Sequence, residues 1–493
     1  MTKDQTNVAT YFKSLELGNV RCFGTKQKLD LTNENGDLAQ WTLILGDNGA
    51  GKTTLLQCLV WMRPVIVDNL EDEVENAEIS EEPLDIKSPI KIGILGPALT
   101  EEFNDTVEKL SRIGGKPEIK ISAVMYQGDK LFFDTVPKGK QIKTKVKGTF
   151  DNNNHLKVFE PSEVDIGTAL QGEFWEPFII AYGANRQMGL RNASNIDLQD
   201  PLAARLSVIT ELYDAVERLT KLHHAVVDQE SKKSESSDGN QPESTEARLL
   251  RTFKQALADI LPEEISNADL IEIEAPKLVE GELKDSEVKV WSLGRYVPFT
   301  SLSLGYQTTL AWALDLSWRL FTEYPDSPNP LEEPAVVLID EIDLHLHPLW
   351  QWQIMGKLAS IFKRTQFIAT AHSPLMVQSM PNSNFAVVHK FEDREVRIEN
   401  NPEKVRGWRV DQILNSEYFS LPFSRPPEFE KFFNERANLL RNSNRTKSEE
   451  ARLKRLEEQI LGLPTAPIAE EREAFELLKQ ATQLLKSNKS SGR

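Results

Sequence analysis

Gly46-Asp47-Asn48-Gly49-Ala50-Gly51-Lys52-Thr53 is the stretch on which the fold turns. Two glycines with four residues between them, followed by Lys-Thr, fit the phosphate-loop pattern. Trp41-Thr42-Leu43-Ile44-Leu45 before it reads as a buried strand, and Thr54-Leu55-Leu56-Gln57-Cys58-Leu59-Val60-Trp61 after it reads as a helix. Strand, loop and helix in that order are the context the motif requires. The glycines let successive backbone N–H groups close around phosphate oxygens without side-chain clash, and the helix start adds positive partial charge. On this reading Gly46, Asn48, Gly49, Ala50, Gly51 and Thr54 line a nucleotide. Lys52 reaches its β- and γ-phosphates and the Thr53 hydroxyl ligates Mg2+, so ATP and Mg2+ are the expected ligands. The competing reading is a glycine-rich turn with no ligand.

The 493 residues exceed one ordinary core and imply two or three structural units. Hydrophobic residues make up 40% and charged residues 27%, the balance of a globular chain. No stretch is long and apolar enough to span a bilayer. The start, Met1-Thr2-Lys3-Asp4-Gln5-Thr6-Asn7, lacks an apolar targeting core, so a cytoplasmic location is expected. Cys22 and Cys58 are the only cysteines, and a disulfide framework is not expected. The formal net charge of −17 makes the chain a poor general polyanion binder, because nucleic-acid affinity comes largely from Lys and Arg displacing counterions. DNA contact would need a local basic patch.

Three further motifs follow the phosphate loop. Pro334-Ala335-Val336-Val337-Leu338-Ile339-Asp340-Glu341 is an apolar strand ending in two acids, the Walker B pattern. Asp340 is placed on Mg2+, through water, and Glu341 on the water that attacks the γ-phosphate. Leu302-Ser303-Leu304-Gly305-Tyr306-Gln307 precedes an apolar helix. A Ser hydroxyl, a Gly N–H and a helix start make an anion site, although alone the hexapeptide is an ordinary Ser/Gly cap. Phe367-Ile368-Ala369-Thr370-Ala371-His372-Ser373-Pro374 is another apolar strand, ending in a histidine.

Taken together and in this order, the motifs resemble the ABC-type ATPase superfamily. Leu302–Gln307 resembles its Leu-Ser-x-Gly-x-Gln signature and His372 its switch histidine. Within the superfamily, Leu15-Glu16-Leu17-Gly18-Asn19-Val20-Arg21-Cys22-Phe23 looks like the N-terminal strand and arginine of the SMC/RecF-like branch. Asp340-Glu341-Ile342-Asp343-Leu344-His345-Leu346-His347-Pro348 and Ala181-Tyr182-Gly183-Ala184-Asn185-Arg186-Gln187 look like segments of bacterial anti-phage defence ATPases of the Septu and overcoming-lysogenization-defect types. Transporter ATPases carry an aspartate where His347 stands. The resemblance implies that Glu341 and His372 are catalytic, that Arg21, Ser303, Gly305 and Gln307 meet nucleotide, and that Gln187 joins Thr53 and Asp340 at the metal. It implies too that Ser303 and Gly305 close on a γ-phosphate held by another copy. His345 and His347 share one side of an extended chain, but two imidazoles without further ligands do not complete a zinc site.

The fold expected is α/β: an ABC-type P-loop ATPase head, a mixed sheet flanked by helices, with a short helical hairpin insertion and a helical C-terminal tail. Residues 1–197 form an N-terminal lobe, with an inserted segment over about 66–170 that is acidic at first and then alternates as in Glu118–Met125. Residues 198–285 form a helical insertion whose Ser-rich, charged tip (about 228–246) reads as disordered. No sustained heptad run is present, so long SMC-type arms are excluded. Residues 286–415 form the C-terminal lobe, closed by Phe385–His389 and Val396–Ile398, and 416–493 a tail of three helices without nuclease motif or Toprim framework.

The expected function is an ATP-binding, ATP-hydrolysing subunit of an anti-phage defence complex. It would form a homodimer or higher even oligomer through its ATPase heads and regulate a separately encoded effector nuclease. The alternatives are a RecF-like repair ATPase that binds DNA directly, a nucleotide-sensing module with little turnover, and a transporter subunit, the last disfavoured by His347.

Overall fold

The computed structural model describes residues 8–66, 92–94, 118–129, 139–150, 156–165, 177–184, 219–228, 244–261, 269, 271–274, 277–279, 282–284, 287–292, 294–380, 383–391, 395–401, 408–416, 418–419, 427–442 and 445–461. By contacts the chain divides into Met1–Ser420 and Leu421–Arg493.

Short apolar runs build the central layer of the first unit. Its six-stranded sheet runs in the order Val396–Asn400, Asn384–Lys390, Trp41–Gly46, Thr365–Thr370, Ala335–Ile339, Ile179–Tyr182. Every neighbouring pair is parallel except the first, which is antiparallel, so the expected mixed sheet is present. Parallel strands covered on both faces read as continuous apolar sequence rather than alternation. Ala335–Ile339 and Thr365–Thr370 accordingly have no exposed residue.

Alternate residues of these strands serve two different cores. Leu43, Val337, Ile339, Phe367 and Ala369 join the core that holds the helices Thr245–Ile260, Leu304–Glu323 and Pro348–Ile361. Ile44, Val336, Leu338, Ile368 and Val388 join the other, beneath the helix Lys52–Trp61 and a second sheet. On the first face Trp41 stacks on Phe367 with ring centroids 4.3 Å apart.

The second sheet has five antiparallel strands, in the order Gln27–Asp30, Val8–Gly18, Glu118–Asp129, Gly139–Phe150, Leu156–Asp165. The alternating run Glu118–Met125 therefore extends a sheet that the N-terminal strand begins, with Leu17 opposite Ile121. A register shift between Phe12 and Ser14 interrupts that pairing. Gln366 of the other sheet satisfies the freed backbone: its Oε1 accepts the Phe12 N–H at 2.9 Å and its Nε2 donates to the Phe12 carbonyl at 2.7 Å. The run 15–23, read as strand and arginine, is strand only to Gly18; Asn19 and Arg21 then take left-handed backbone, with φ of 59° and 44°.

Residues 219–228 and Thr245–Ile260 are helical, with Leu222, Val226, Leu250, Phe253 and Leu257 in the same core as the signature helix. Lys357 fastens the end of Thr245–Ile260, its Nζ donating to the carbonyls of Asp259 (2.9 Å) and Leu261 (2.7 Å). Of the expected hairpin tip (about 228–246), residues 229–243 lie outside the described residues, while Ser244 caps the helix that Thr245 and Glu246 begin; the acidic run after Ile66 and the third tail helix also lie outside. In the second unit Pro427–Arg441 and Lys447–Leu461 are paired helices, with Arg452 donating to both oxygens of Glu435 at 2.8 and 2.7 Å. Among the described residues no helix is long and apolar enough to cross a membrane. Cys22 and Cys58 are not joined in a disulfide.

Candidate nucleotide site

Three adjacent parallel strands end at one place. Trp41–Gly46 runs into the phosphate loop, Ala335–Ile339 into Asp340 and Glu341, and Thr365–Thr370, which lies between them, into Ala371 and His372. Such carboxyl ends are where open α/β sheets bind ligands.

The loop's glycines answer to geometry. Gly46, at φ 142°, has its Cα against the Val388 carbonyl, where a Cβ would collide; Gly51, at φ 96°, is as close to Cys22 Sγ. Lys52 is 5% exposed, and its Nζ donates to the carbonyls of Gly46 (2.8 Å) and Asp47 (2.9 Å). Burial pulls the Lys52 ammonium below its ordinary pKa, opposed by Asp340, Glu341, Asp343 and Asp47. Four carboxylates outnumber that one cation, so the surplus negative charge suits a divalent cation arriving with the phosphates.

Thr53 Oγ1 donates to Asp340 Oδ2 at 2.7 Å, bringing the two expected magnesium ligands together from positions 287 residues apart. Hard oxygen donors of this kind, a hydroxyl beside a carboxylate, fit Mg2+. Asp343, three residues on, accepts the His372 backbone N–H on Oδ2 at 2.9 Å, while its Oδ1 is buried without a partner among the described residues, an acceptor suited to a metal-borne water. Glu341 has left-handed backbone, φ 50°. Asn48 and Gly49 are exposed at the loop tip and Ala50 is buried under it.

Arg21 and Thr54 meet each other: Arg21 Nη1 donates to Thr54 Oγ1 (3.2 Å) and Gln57 Oε1 (3.1 Å), bracing the helix that starts at Lys52. Ser303 caps Leu304–Glu323 by position, is exposed, and makes no side-chain cap bond. Gly305 packs its Cα on the His345 carbonyl, so a Cβ there would collide. Gln307, expected at the nucleotide, instead laces its own turn, donating from Nε2 to the carbonyls of Thr300 (2.8 Å) and Leu302 (2.6 Å). His347 caps Pro348–Ile361, its Nδ1 accepting the Leu349 N–H at 3.3 Å. Gln187 lies outside the described residues.

Sequence reading missed Thr370. Its Oγ1 donates to Asp340 Oδ1 at 2.6 Å and accepts the Glu341 N–H at 2.7 Å. It missed Ser373 and Gln351 as well, which join at 2.6 Å and tie the segment after His372 to the helix after His347. The only trace of these in the sequence is a hydroxyl at the end of an apolar strand.

Residues 42–377, more than half of the chain, match the family model described as "AAA domain, putative AbiEii toxin, Type IV TA system". The chain is 32% identical over 171 residues to Septu protein PtuA of Bacillus mycoides, covering 34% of this chain and 23% of that protein. Against the retron Ec83 probable ATPase of Escherichia coli it is 32% identical over 262 residues, 53% of this chain and 44% of the relative. Against the retron Vc95 probable ATPase of Vibrio cholerae it is 23% identical over 415 residues, 77% and 74% of the two. The chain thus spans less than half the length of the first two relatives. The SMC head domain from Thermotoga maritima covers 80% of this chain and 99% of its own at 14% identity, with a TM-score of 0.37, a likeness too weak to carry an argument.

Proposed function

The chain belongs to the family of AAA domains described as putative AbiEii toxin, Type IV TA system, and from that premise we propose that it binds and hydrolyses ATP with Mg2+ as a subunit of an anti-phage defence complex. The observation that carries the reading is the Thr53–Asp340 bond of 2.7 Å beside the buried Lys52. It joins the phosphate loop to the acidic strand end as a magnesium-nucleotide site requires. The resemblance to relatives named Septu and retron supplies the defence context.

In this function Lys52 and the loop N–H groups hold the β- and γ-phosphates. Thr53 and Asp340 are the protein's ligands to Mg2+, which when bound neutralises the phosphate charge. Glu341 takes the proton of the attacking water, and His372 reports on the γ-phosphate. Ser303 and Gly305 reach the nucleotide held by a second copy, so the chain works as a homodimer or higher even oligomer. Closure and opening of that pair switch a separate effector nuclease. The test is phosphate release from ATP by the purified chain, with native mass measured with and without ATP. No turnover in the wild type and no ATP-dependent change in mass would refute it.

A second reading, direct DNA binding in the manner of a RecF-like ATPase, has one observation in its favour. Lys143, Lys145 and Lys147 are exposed on one face of the antiparallel sheet, and Lys120, also exposed, stands opposite Lys147. In the register of the same sheet Asp165 pairs with Lys143 and Glu163 with Lys145. DNA binding by the chain alone that weakens steeply with salt would favour this reading.

A further inference from the structure

Asp340 and Glu341 have one neighbour in common that no motif accounts for. In the parallel register Ile339 lies beside Ala369, which sets Thr370, one residue further, level with Asp340. The Thr370 hydroxyl makes two bonds there, 2.6 Å to Asp340 Oδ1 and 2.7 Å to the Glu341 N. Their directions are fixed by chemistry. An ionised carboxylate only accepts and a backbone N–H only donates, so the single hydroxyl proton goes to Asp340 and the lone pair faces Glu341.

Two consequences follow. The Asp340 carboxylate is held from both sides, by Thr370 on Oδ1 and by Thr53 on Oδ2, which fixes its rotation. The Glu341 backbone, at φ 50°, is pinned in a conformation that non-glycine residues seldom adopt. The Thr370 carbonyl accepts the Ile342 N–H at 2.9 Å, so one residue braces three in succession.

We propose that Thr370 is a positioning residue for the proposed hydrolysis. Its hydroxyl presents Asp340 to Mg2+ and holds Glu341 where it meets the attacking water. The inference rests on the functional reading above and concerns a residue that reading does not use. Thr370 is fully buried in the sheet, so removal of the hydroxyl takes one hydrogen bond from the Asp340 carboxylate and one from the Glu341 N–H where water does not replace them.

The experiment compares the full-length wild type with Thr370→Val, which keeps the shape and loses the hydroxyl, and Thr370→Ser, which keeps the hydroxyl. Three quantities are read: kcat for phosphate release, the Mg2+ concentration at half-maximal rate, and ATP affinity in EDTA. Thr370→Val lowers kcat about 10–100-fold and raises the Mg2+ requirement, as loss of a residue that orients a metal ligand does. It leaves ATP affinity in EDTA unchanged, and Thr370→Ser recovers most of the rate. Wild-type kcat and Mg2+ requirement in Thr370→Val would overturn the proposal. So would Thr370→Ser as impaired as Thr370→Val, or metal-free ATP binding lost in proportion to kcat, since each assigns the effect to packing. If the wild type binds ATP without releasing phosphate, the hydrolysis reading fails by itself. The Mg2+ dependence of ATP affinity in the three proteins then decides the role of Thr370.

Discussion

The phosphate loop and the Ser303–Gly305 turn each open a helix, but their side chains are used differently. In the loop, Lys52 and Thr53 find partners within the chain, at Gly46, Asp47 and Asp340. In the turn, the backbone is locked, by Gly305 on the His345 carbonyl and by the Gln307 amide on two carbonyls, while the Ser303 hydroxyl is exposed and makes no cap bond. One element is finished within the fold and the other is held rigid with its serine hydroxyl exposed. On the proposed function, that exposed hydroxyl is the group that meets a second copy.

The largest expected effect removes the finished side. Glu341→Gln lowers phosphate release about 10²–10⁴-fold while ATP binding persists, since a positioned base contributes on that scale; single-turnover kinetics and equilibrium binding check it. Unchanged turnover would remove Glu341 from the role of base. Ser303→Ala lowers turnover about 10-fold or more, the worth of one hydrogen bond to a charged phosphate, with no change in Tm. A mixture of Ser303→Ala and Lys52→Ala chains then exceeds either variant alone, because one shared site is intact in the mixed pair. A mixture no better than its components would break the comparison.

Gly305→Ala acts on the locked backbone. Its Cβ meets the His345 carbonyl, so the variant loses about 1–3 kcal/mol in thermal or urea unfolding. Gln307→Leu removes the two bonds to Thr300 and Leu302 and costs about 1 kcal/mol by the same measurement. The smallest effect is chemical. Burial pushes the Cys58 thiol up to about 12, so its reactive thiolate is scarce near neutral pH. Cys58 stays unlabelled by a maleimide at pH 8 in the folded chain and reacts only after unfolding, as mass spectrometry would show.

The parallel sheet was legible because its strands are apolar runs that end on recognisable residues: Leu45 before the loop, Ile339 before Asp340, Ala369 before Thr370 and His372. Burial on both faces writes itself into composition. Thr370 was not legible, because its partners depend on strand order and on the pairing of Ile339 with Ala369, which no local pattern encodes. Gln307 shows a different limit. A motif names a residue type at a position, but a flexible amide chooses among nearby acceptors, and here the carbonyls of its own turn are in reach. The end of the first strand at Gly18 was only partly hidden: Asn19 and Arg21 leave the extended region by positive φ, which asparagine tolerates and so signals, while an arginine gives no such sign.

The clasp between Lys357 and the carbonyls of Asp259 and Leu261 ties the helical insertion to the catalytic lobe's own helix layer. Thr245–Ile260 is 16 residues long, about 24 Å at the α-helical rise, and is gripped at its foot by the helix that begins just after His347. Leu250, Phe253 and Leu257 hold the same helix against the core along its length. The clasp sits toward the end of Pro348–Ile361 that leads into Thr365–Thr370, so the insertion is fastened to the element that connects the two strands ending at Asp340 and Thr370.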